Sequence, residues 1–220
     1  MRKFFALFLT FISLFACFYG CQKVNPLKNC LSELRSDLFY GESENFAVKA
    51  GYGFKEKLLA DQTSYEKVYE LTFKLANETS DGAIYCVNLD FNGNTYKADF
   101  KLNPVTHALT ASIEIENFNS KEFAVTLTNA SIQESVTLRS TLPDGTIDHI
   151  KALEFLQKHQ QPLLNNYTNE QGEFTAKIQA RVLIKNDKPY WYIGIVNGDN
   201  LKALLIDGIT GEVLAIREVF

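Results

Sequence analysis

Short runs of alternating apolar and polar residues fill positions 31–142, and such alternation predicts β-strands. In the run 68–75, Tyr69, Leu71, Phe73 and Leu75 share one face of a strand. Asn92-Gly93 separates two further alternating runs, and this dipeptide readily adopts the positive φ values of a tight hairpin. About seven or eight short strands at this spacing predict an immunoglobulin-like β-sandwich over 31–142. The Cys…Trp…Cys spacing of a true immunoglobulin domain is absent.

The pattern changes after the turn signal Pro143-Asp144-Gly145. Apolar residues then recur at a spacing of three, which predicts an amphipathic helix from Ile147 to about Gln160, ended by Pro162. Alternating runs return from 174 to 216 with turn signals between them, which predicts an antiparallel meander. We therefore interpret 143–220 as an α+β domain in which the helix covers one face of the meander. The chain as a whole is predicted to be mainly β with this α+β part.

The first 20 residues predict an export signal. Arg2 and Lys3 precede an uncharged apolar run, 4–16, that is too short for a comfortable transmembrane helix. The segment resembles the signal of a bacterial lipoprotein precursor, in which a Cys after a small residue is lipidated. Cys17 and Cys21 are the two candidates, so the signal ends at residue 16 or 20. The alternative is a plain secretory signal. Residues 21–30 are predicted to be a tether.

Composition and charge restrict the classes of function that we expect for the chain. The 220 residues are 46% hydrophobic and 22% charged, which is typical of a globular chain, and the net charge is -4. A chain without basic excess lacks the electrostatic footprint of a nucleic-acid-binding protein. GxSxG, HExxH and P-loop motifs are absent, and the three histidines are not spaced as a metal pair. We therefore predict no catalytic residue, no metal site and no cofactor.

Two further cysteines, Cys30 and Cys86, lie in the exported part of the chain. An oxidising location permits a disulfide between them, which would close a long loop. No CxxC or regular spacing supports a disulfide framework. The alternative for Cys86, which lies in the apolar run 84–87, is a small buried hydrophobic residue.

The segment 146–218 resembles the PepSY family. The resemblance depends on an aromatic-rich strand, Tyr190-Trp191-Tyr192-Ile193, then on 204–207 and on the ending Thr210-Gly211-Glu212-Val213-Leu214. It implies a binding module, or a module that inhibits or modulates peptidases, and it supplies no catalytic residue. Residues 31–142 also look like the N-terminal parts of lipoproteins from low-GC Gram-positive bacteria, which implies anchoring at the outer face of the cytoplasmic membrane.

Tyr190, Trp191 and Tyr192 are the candidate recognition residues. Neighbouring side chains on a strand point to opposite faces, so one face carries Trp191 and the other carries the two tyrosines. The alternative places these aromatics in the core and in a domain interface. The leading hypothesis is a surface-anchored, non-enzymatic lipoprotein with the membrane and an envelope protein or peptidase as partners. The alternatives are an envelope hydrolase using carboxylates or Cys86, and a solute-binding component with an apolar pocket between the domains.

Overall fold

The computed structural model describes residues 26–76 and 84–219, and this part of the chain is mainly β, as predicted. The strands in chain order are β1 (Leu31–Glu42), β2 (Ala47–Leu58), β3 (Tyr65–Leu75), β4 (Cys86–Phe91), β5 (Asn94–Asp99), β6 (Lys101–Leu102), β7 (Leu109–Glu114), β8 (Glu122–Thr128), β9 (Gln133–Ser140), β10 (Lys177–Lys185), β11 (Lys188–Asn197), β12 (Asn200–Asp207) and β13 (Val213–Val219). The helices are α1 (Pro26–Asn29), α2 (His149–His159) and α3 (Gln161–Asn165).

The first nine strands form a nearly closed antiparallel sheet in the order β6-β7-β3-β2-β1-β9-β8-β4-β5. Alternation along these strands turns one apolar row from each strand inward, and the rows meet in a first core. Its fully buried members include Phe73, Val87, Leu89, Leu127 and Leu138. The predicted Asn-Gly hairpin is confirmed, since Asn92 and Gly93 have φ values of 51° and 78° between β4 and β5.

The last four strands form the predicted antiparallel meander, and α2 lies over one of its faces. Leu153 and Leu156 of α2 are buried with Ile178, Trp191 and Ile193 in a second core. The sequence predicts a helix near 147–160, and α2 occupies 149–159.

The start of α2 is fixed by its N-cap. Asp148 has extended backbone angles, and its carboxylate accepts a hydrogen bond of 2.8 Å from the backbone N–H of Lys151. This contact satisfies one of the donors that a helix leaves unpaired at its first turn. The cap follows Ile147, so the predicted first residue of the helix lies just outside it.

Strand β1 connects the two groups of strands. Its early residues pair in parallel with β10, from Leu31 opposite Ile178 to Arg35 opposite Arg181. Its later residues pair with β9, and nearly its whole length pairs with β2. The sheet therefore continues across the segment boundary predicted at residue 142. Parallel pairing joins residues far apart in sequence, and no local pattern encodes it.

Residues 26–30, which the sequence pattern assigns to a tether, lie against the second core. Residues 26–29 form α1, and the side chain of Leu27 is 2% exposed. The backbone N–H of Ile178 donates to the carbonyl of Cys30 at 2.8 Å, which ties the segment to β10. A short apolar segment docks here because the second core offers it a partner that composition does not reveal.

Two glycines on β2 let β1 approach closely where its register with β2 shifts, between Arg35 and Asp37. A Cβ on Gly53 would stand 1.8 Å from the carbonyl oxygen of Leu34, which is part of the backbone. A Cβ on Gly51 would stand 3.2 Å from Cδ of Arg35, which belongs to a flexible side chain. The two positions therefore differ in how much room a methyl group finds.

We predict that Gly53→Ala lowers the free energy of unfolding by about 1–3 kcal/mol, because β1 or β2 must shift to admit the new methyl group. The matched variant Gly51→Ala is expected to cost less than about 1 kcal/mol, since the Arg35 side chain can move. Urea unfolding followed by far-ultraviolet circular dichroism measures both. Equal losses in the two variants would contradict the close approach of β1 at Gly53.

Candidate functional site

Trp191 lies in the second core. Its side chain is 2% exposed, and its indole Nε1 donates a hydrogen bond of 2.9 Å to the carbonyl oxygen of Ile147, just before α2. The indole thereby gains both an apolar contact and a partner for its only polar atom. Trp191 is therefore part of the packing between α2 and the sheet, and it lies on the covered face of β11.

Tyr190 and Tyr192 lie on the opposite face of β11 and are half-buried. Their partners across the strands are Leu183 and Arg181 on β10, and Leu205 on β12 lies opposite Tyr192. We call Arg181, Leu183, Tyr190, Tyr192 and Leu205 the tyrosine face. None of these residues belongs to either hydrophobic core of the described chain, and Leu183 is 41% exposed. The structure thus separates the predicted aromatic triplet into one core residue and two surface residues.

The side chains of the tyrosine face are held in place. Arg181 donates through Nε and Nη2 to the two carboxylate oxygens of Glu33 on β1, at 2.7 and 2.6 Å. This hydrogen bonding raises the pKa of the Arg181 guanidinium. The guanidinium carbon lies 5.8 Å from the ring centre of Tyr192. Such a bidentate pair fixes geometry as well as charge.

Tyr192 also gains support from the strand beneath it. A Cβ on Gly194 would stand 3.3 Å from Cε1 and 3.3 Å from the hydroxyl oxygen of Tyr192, so the ring covers this glycine. Leu201 of β12 approaches the same position from the other side, at 3.1 Å. An aromatic ring that lies over a strand glycine buries area that would otherwise be open. The ring is therefore pre-positioned before any ligand arrives.

A small groove of about 140 Å³ lies beside the tyrosine face, where Gly51 and Gly53 leave room on β2. Lys55 and Glu70 line it and form a 2.7 Å ion pair with each other. Arg35 also lines the groove, next to Arg181 across the strands, and it has no carboxylate partner among the described residues. An exposed guanidinium without a carboxylate partner can donate to the carboxylate of a ligand.

Arg35, Arg181 and Glu33 were not among the residues that the sequence singles out. The β1–β10 pairing brings them together, as the Glu33–Arg181 pair shows across 148 residues. The one local signal is the pair of glycines within a strand pattern, which marks a close backbone approach or a bulge. The two glycines indicate where the strands approach each other closely, but they do not indicate which charged side chains lie there.

The turn that resembles the PepSY ending is explained by its own hydrogen bonds. Asp207 accepts from the backbone N–H groups of Ile209 and Thr210 at 2.9 and 2.8 Å, and these bonds lower the pKa of its carboxyl group. Gly211 has φ of 77°, and a Cβ there would stand 2.2 Å from the ring of Phe155 on α2. The turn therefore sets the entry to β13 and its packing against α2.

The structure does not bring Cys30 and Cys86 together. The Cys30 thiol donates to the carbonyl oxygen of Phe174 at 3.7 Å, beside the second core. The Cys86 thiol donates to a carboxylate oxygen of Asp99 at 2.9 Å, across the β4–β5 hairpin. Asp99 raises the pKa of Cys86 and disfavours the thiolate that a nucleophile needs. Cys17 and Cys21, the predicted lipid attachment sites, lie outside the described residues.

The three histidines lie apart. His149 is half-buried, with its ring centre 6.3 Å from that of Trp191. His159 is stacked against Phe155 at 6.2 Å, and His107 lies in a loop with φ of 51°. Within residues 26–76 and 84–219, no three His, Cys, Asp or Glu side chains are grouped as metal ligands.

A wider groove of about 420 Å³ lies between the end of β9 and the segment leading to α2. Its lining includes the charged residues Asp37, Lys121, Glu122, Arg139 and Asp144. Glu122 and Arg139 already form a 2.8 Å ion pair with each other. The lining is therefore chiefly polar, unlike the mostly apolar pockets that hold small solutes.

No family model, curated protein or solved structure matches the chain. Among the helices of the described segments, none is long and apolar enough to cross a membrane.

The two faces of β11 predict unequal effects of truncation. Trp191→Ala removes a buried ring and its hydrogen bond and is expected to cost about 3–5 kcal/mol of unfolding free energy. Tyr192→Ala removes a half-buried ring and is expected to cost less than half as much. Urea unfolding followed by circular dichroism measures both, since the first variant has no tryptophan left. A larger loss in the Tyr192 variant would contradict the assignment of the two faces.

Burial of His149 predicts a pH dependence of stability. Desolvation lowers the pKa of its imidazole, so the unfolded chain binds a proton more readily than the folded chain. The contribution of the neutral imidazole to the free energy of unfolding is complete above the ordinary histidine pKa, about 6.5. It is lost as the pH falls below that value. His149→Gln is expected to show a smaller drop in the urea midpoint between pH 7 and pH 5 than the wild type. The control His159→Gln keeps His149, and a reduced drop in that variant instead would contradict the assignment.

Proposed function

We propose that the protein is an exported lipoprotein, anchored through Cys17 or Cys21 at the outer face of the cytoplasmic membrane of a Gram-positive bacterium. It acts without catalysis, as a binding or regulatory module for an envelope protein or a peptidase. In this proposal the first nine strands are an immunoglobulin-like sandwich, and α2 with the meander is a PepSY-like domain. The observation that carries the proposal is the tyrosine face, whose residues lie outside both hydrophobic cores and are exposed or half-buried.

The chemistry of the tyrosine face suits recognition of a polypeptide. Tyrosine and arginine are enriched at the centres of protein interfaces, because each combines a large contact area with directional polar atoms. Gly194 and Glu33 already position Tyr192 and Arg181. A ligand that binds these two side chains therefore immobilises few additional rotatable bonds. The exposed Leu183 adds apolar area next to them.

Arg35 indicates which ligand the face suits. Its guanidinium lies beside the tyrosine face without a carboxylate partner among the described residues, in the groove above Gly51. A ligand that places an apolar side chain against Leu183 and a carboxylate against Arg35 would satisfy both groups. We therefore propose an extended protein segment with an acidic residue next to an apolar one as the ligand class.

The hydrolase alternative finds less support in the same residues. The Cys86 thiol is hydrogen-bonded to Asp99, which raises its pKa. The carboxylates of Asp61 and Asp207 have lowered pKa values. Asp61 accepts from the Ser64 hydroxyl and from backbone N–H groups, and Asp207 accepts from backbone N–H groups of its turn. A general acid needs a pKa raised toward neutrality, which is the opposite direction. The solute-binding alternative meets a groove lined chiefly by charged and polar side chains.

The lipid anchor is tested by growing cells that express the full chain with radioactive palmitate. The unmutated protein is expected to be labelled, and changing the true attachment residue, Cys17→Ser or Cys21→Ser, is expected to abolish the label. The other single variant serves as the matched control and keeps it. Absence of label on the unmutated protein would contradict the anchor.

Recognition is tested with a photoreactive amino acid in place of Leu183, within the tyrosine face. Illumination of intact cells is expected to give a crosslinked species that Arg35→Gln weakens, because the variant removes the charge offered to the ligand. The same amino acid in place of Val105, which is 85% exposed elsewhere, is the control. Crosslinks of equal yield from both positions would contradict the tyrosine face as the binding surface.

A further inference from the structure

The start of the described chain and the tip of a long hairpin lie at the same end of the molecule. Strands β1 and β10 run parallel, and β2 runs antiparallel to β1. The beginning of β1, the beginning of β10 and the turn from β2 to β3 therefore lie at the same end, which we call the anchor end. Helix α1 directly precedes β1, so the chain from the proposed lipid site also enters there.

The β2–β3 hairpin continues past its last pairing with β1. Lys55 of β2 is the last residue opposite β1, at Glu33, and three more residues of β2 follow before the tip. Because β1 begins two residues before Glu33, the turn 59–64 is the part of the hairpin that lies beyond the start of β1. The tip is the part of the β2–β3 ladder that projects farthest in this direction.

Apolar side chains are exposed at this tip. Leu58 and Tyr65 face each other across the last pair of the ladder and are 51% and 56% exposed. Leu59, the next residue, is 40% exposed. We call these three residues the hairpin tip. Three neighbouring apolar side chains in water are a cost to a folded chain unless a partner covers them.

Several polar groups of the turn are paired within the turn. Asp61 accepts from the N–H groups of Thr63 and Ser64 at 2.9 and 3.0 Å and from the Ser64 hydroxyl at 2.6 Å. The N–H of Leu59 donates to the carbonyl of Ser64, also at 2.9 Å. A loop that pairs its own polar groups loses less on entering a poorly hydrated region.

Two lysines behind the tip are paired with carboxylates. Lys57 pairs with Glu114 at 2.7 Å, and Lys177 pairs with Glu56 at 2.8 Å. The Lys177 ammonium also lies 3.5 Å from the ring centre of Tyr65. An apolar tip with a tyrosine and lysines just behind it is the arrangement that suits the boundary between lipid headgroups and acyl chains.

The length of chain before Pro26 keeps this end close to the membrane. An extended chain spans at most about 3.5 Å per residue, so Cys21 lies within about 18 Å of Pro26 and Cys17 within about 32 Å. A lipid on either cysteine therefore tethers the protein by its anchor end. The opposite end has its own exposed apolar residues, Leu102 at the end of β6 and Val105 in the connection to β7.

We propose that the hairpin tip inserts into the lipid interface and is a second membrane contact of the anchored protein. This inference rests on the proposed lipid anchor. The contact orients the strands across the membrane plane and leaves the tyrosine face at the side of the molecule, open to a partner. The lipid anchor alone does not fix the orientation of the folded chain, and a second contact strengthens binding and orients it.

The test uses the full lipidated chain in vesicles of phosphatidylcholine and phosphatidylglycerol whose acyl chains carry bromine, which quenches nearby tryptophan. Leu58→Trp adds an indole at the tip, and Val105→Trp adds one at the opposite end. The wild type, with Trp191 alone, gives the baseline. The tip indole is expected to lose about half of its emission, as for a side chain lying roughly 5–10 Å into the interface. The indole at position 105 is expected to stay unquenched.

Each outcome has a definite meaning. Quenching at 58 and not at 105 supports the contact. A chain that floats with the vesicles while its indole at 58 is unquenched overturns the hairpin contact alone and favours a protein partner at the tip. Equal quenching at both positions also overturns it. A chain that carries no lipid and does not float overturns the anchor and the contact together. Leu59→Trp repeats the test should the Leu58 variant fail to fold.

Discussion

The parallel pairing of β1 with β10 is the interaction on which the rest of the structure depends. Its backbone hydrogen bonds hold the meander against the strand that also belongs to the nearly closed sheet. It brings Glu33 to Arg181 and places Arg35 beside the tyrosine face. The same pairing places α1 at the anchor end, because α1 directly precedes β1. The chain enters the sheet at that end. A break here would separate Glu33 and Arg35 from the tyrosine face.

Side chains alternate along β11, so residues with different roles lie on the two faces of the sheet. Trp191 stabilises the contact between α2 and the strands, so its size and hydrogen bond are explained by packing. Tyr192 lies over Gly194 and next to an ion-paired arginine, and packing in a core does not explain it. The proposed function therefore depends on half of the aromatic cluster. The turn at Asp207 and Gly211 serves the fold by fixing the entry of β13.

Features encoded by neighbouring residues could be predicted from the sequence. The Asn92-Gly93 hairpin and the helix near 149–159 follow from turn chemistry and periodicity, and both are present. The β1–β10 pairing, the docking of Leu27 and the exposed Arg35 depend on contacts between distant segments, which a single sequence does not show. The predicted disulfide between Cys30 and Cys86 depends only on an oxidising location. In the structure the two thiols donate hydrogen bonds to different acceptors.

The central claim is that the tyrosine face is the recognition surface of an anchored protein. Hydroxyl-radical labelling of living cells, compared with the purified full chain, tests it most directly. The account predicts that Tyr190, Tyr192 and Leu183 are labelled in the purified protein and protected in cells, while labelling of Val105 is the same in both. Equal labelling of Tyr192 in cells and in the purified protein would contradict the account.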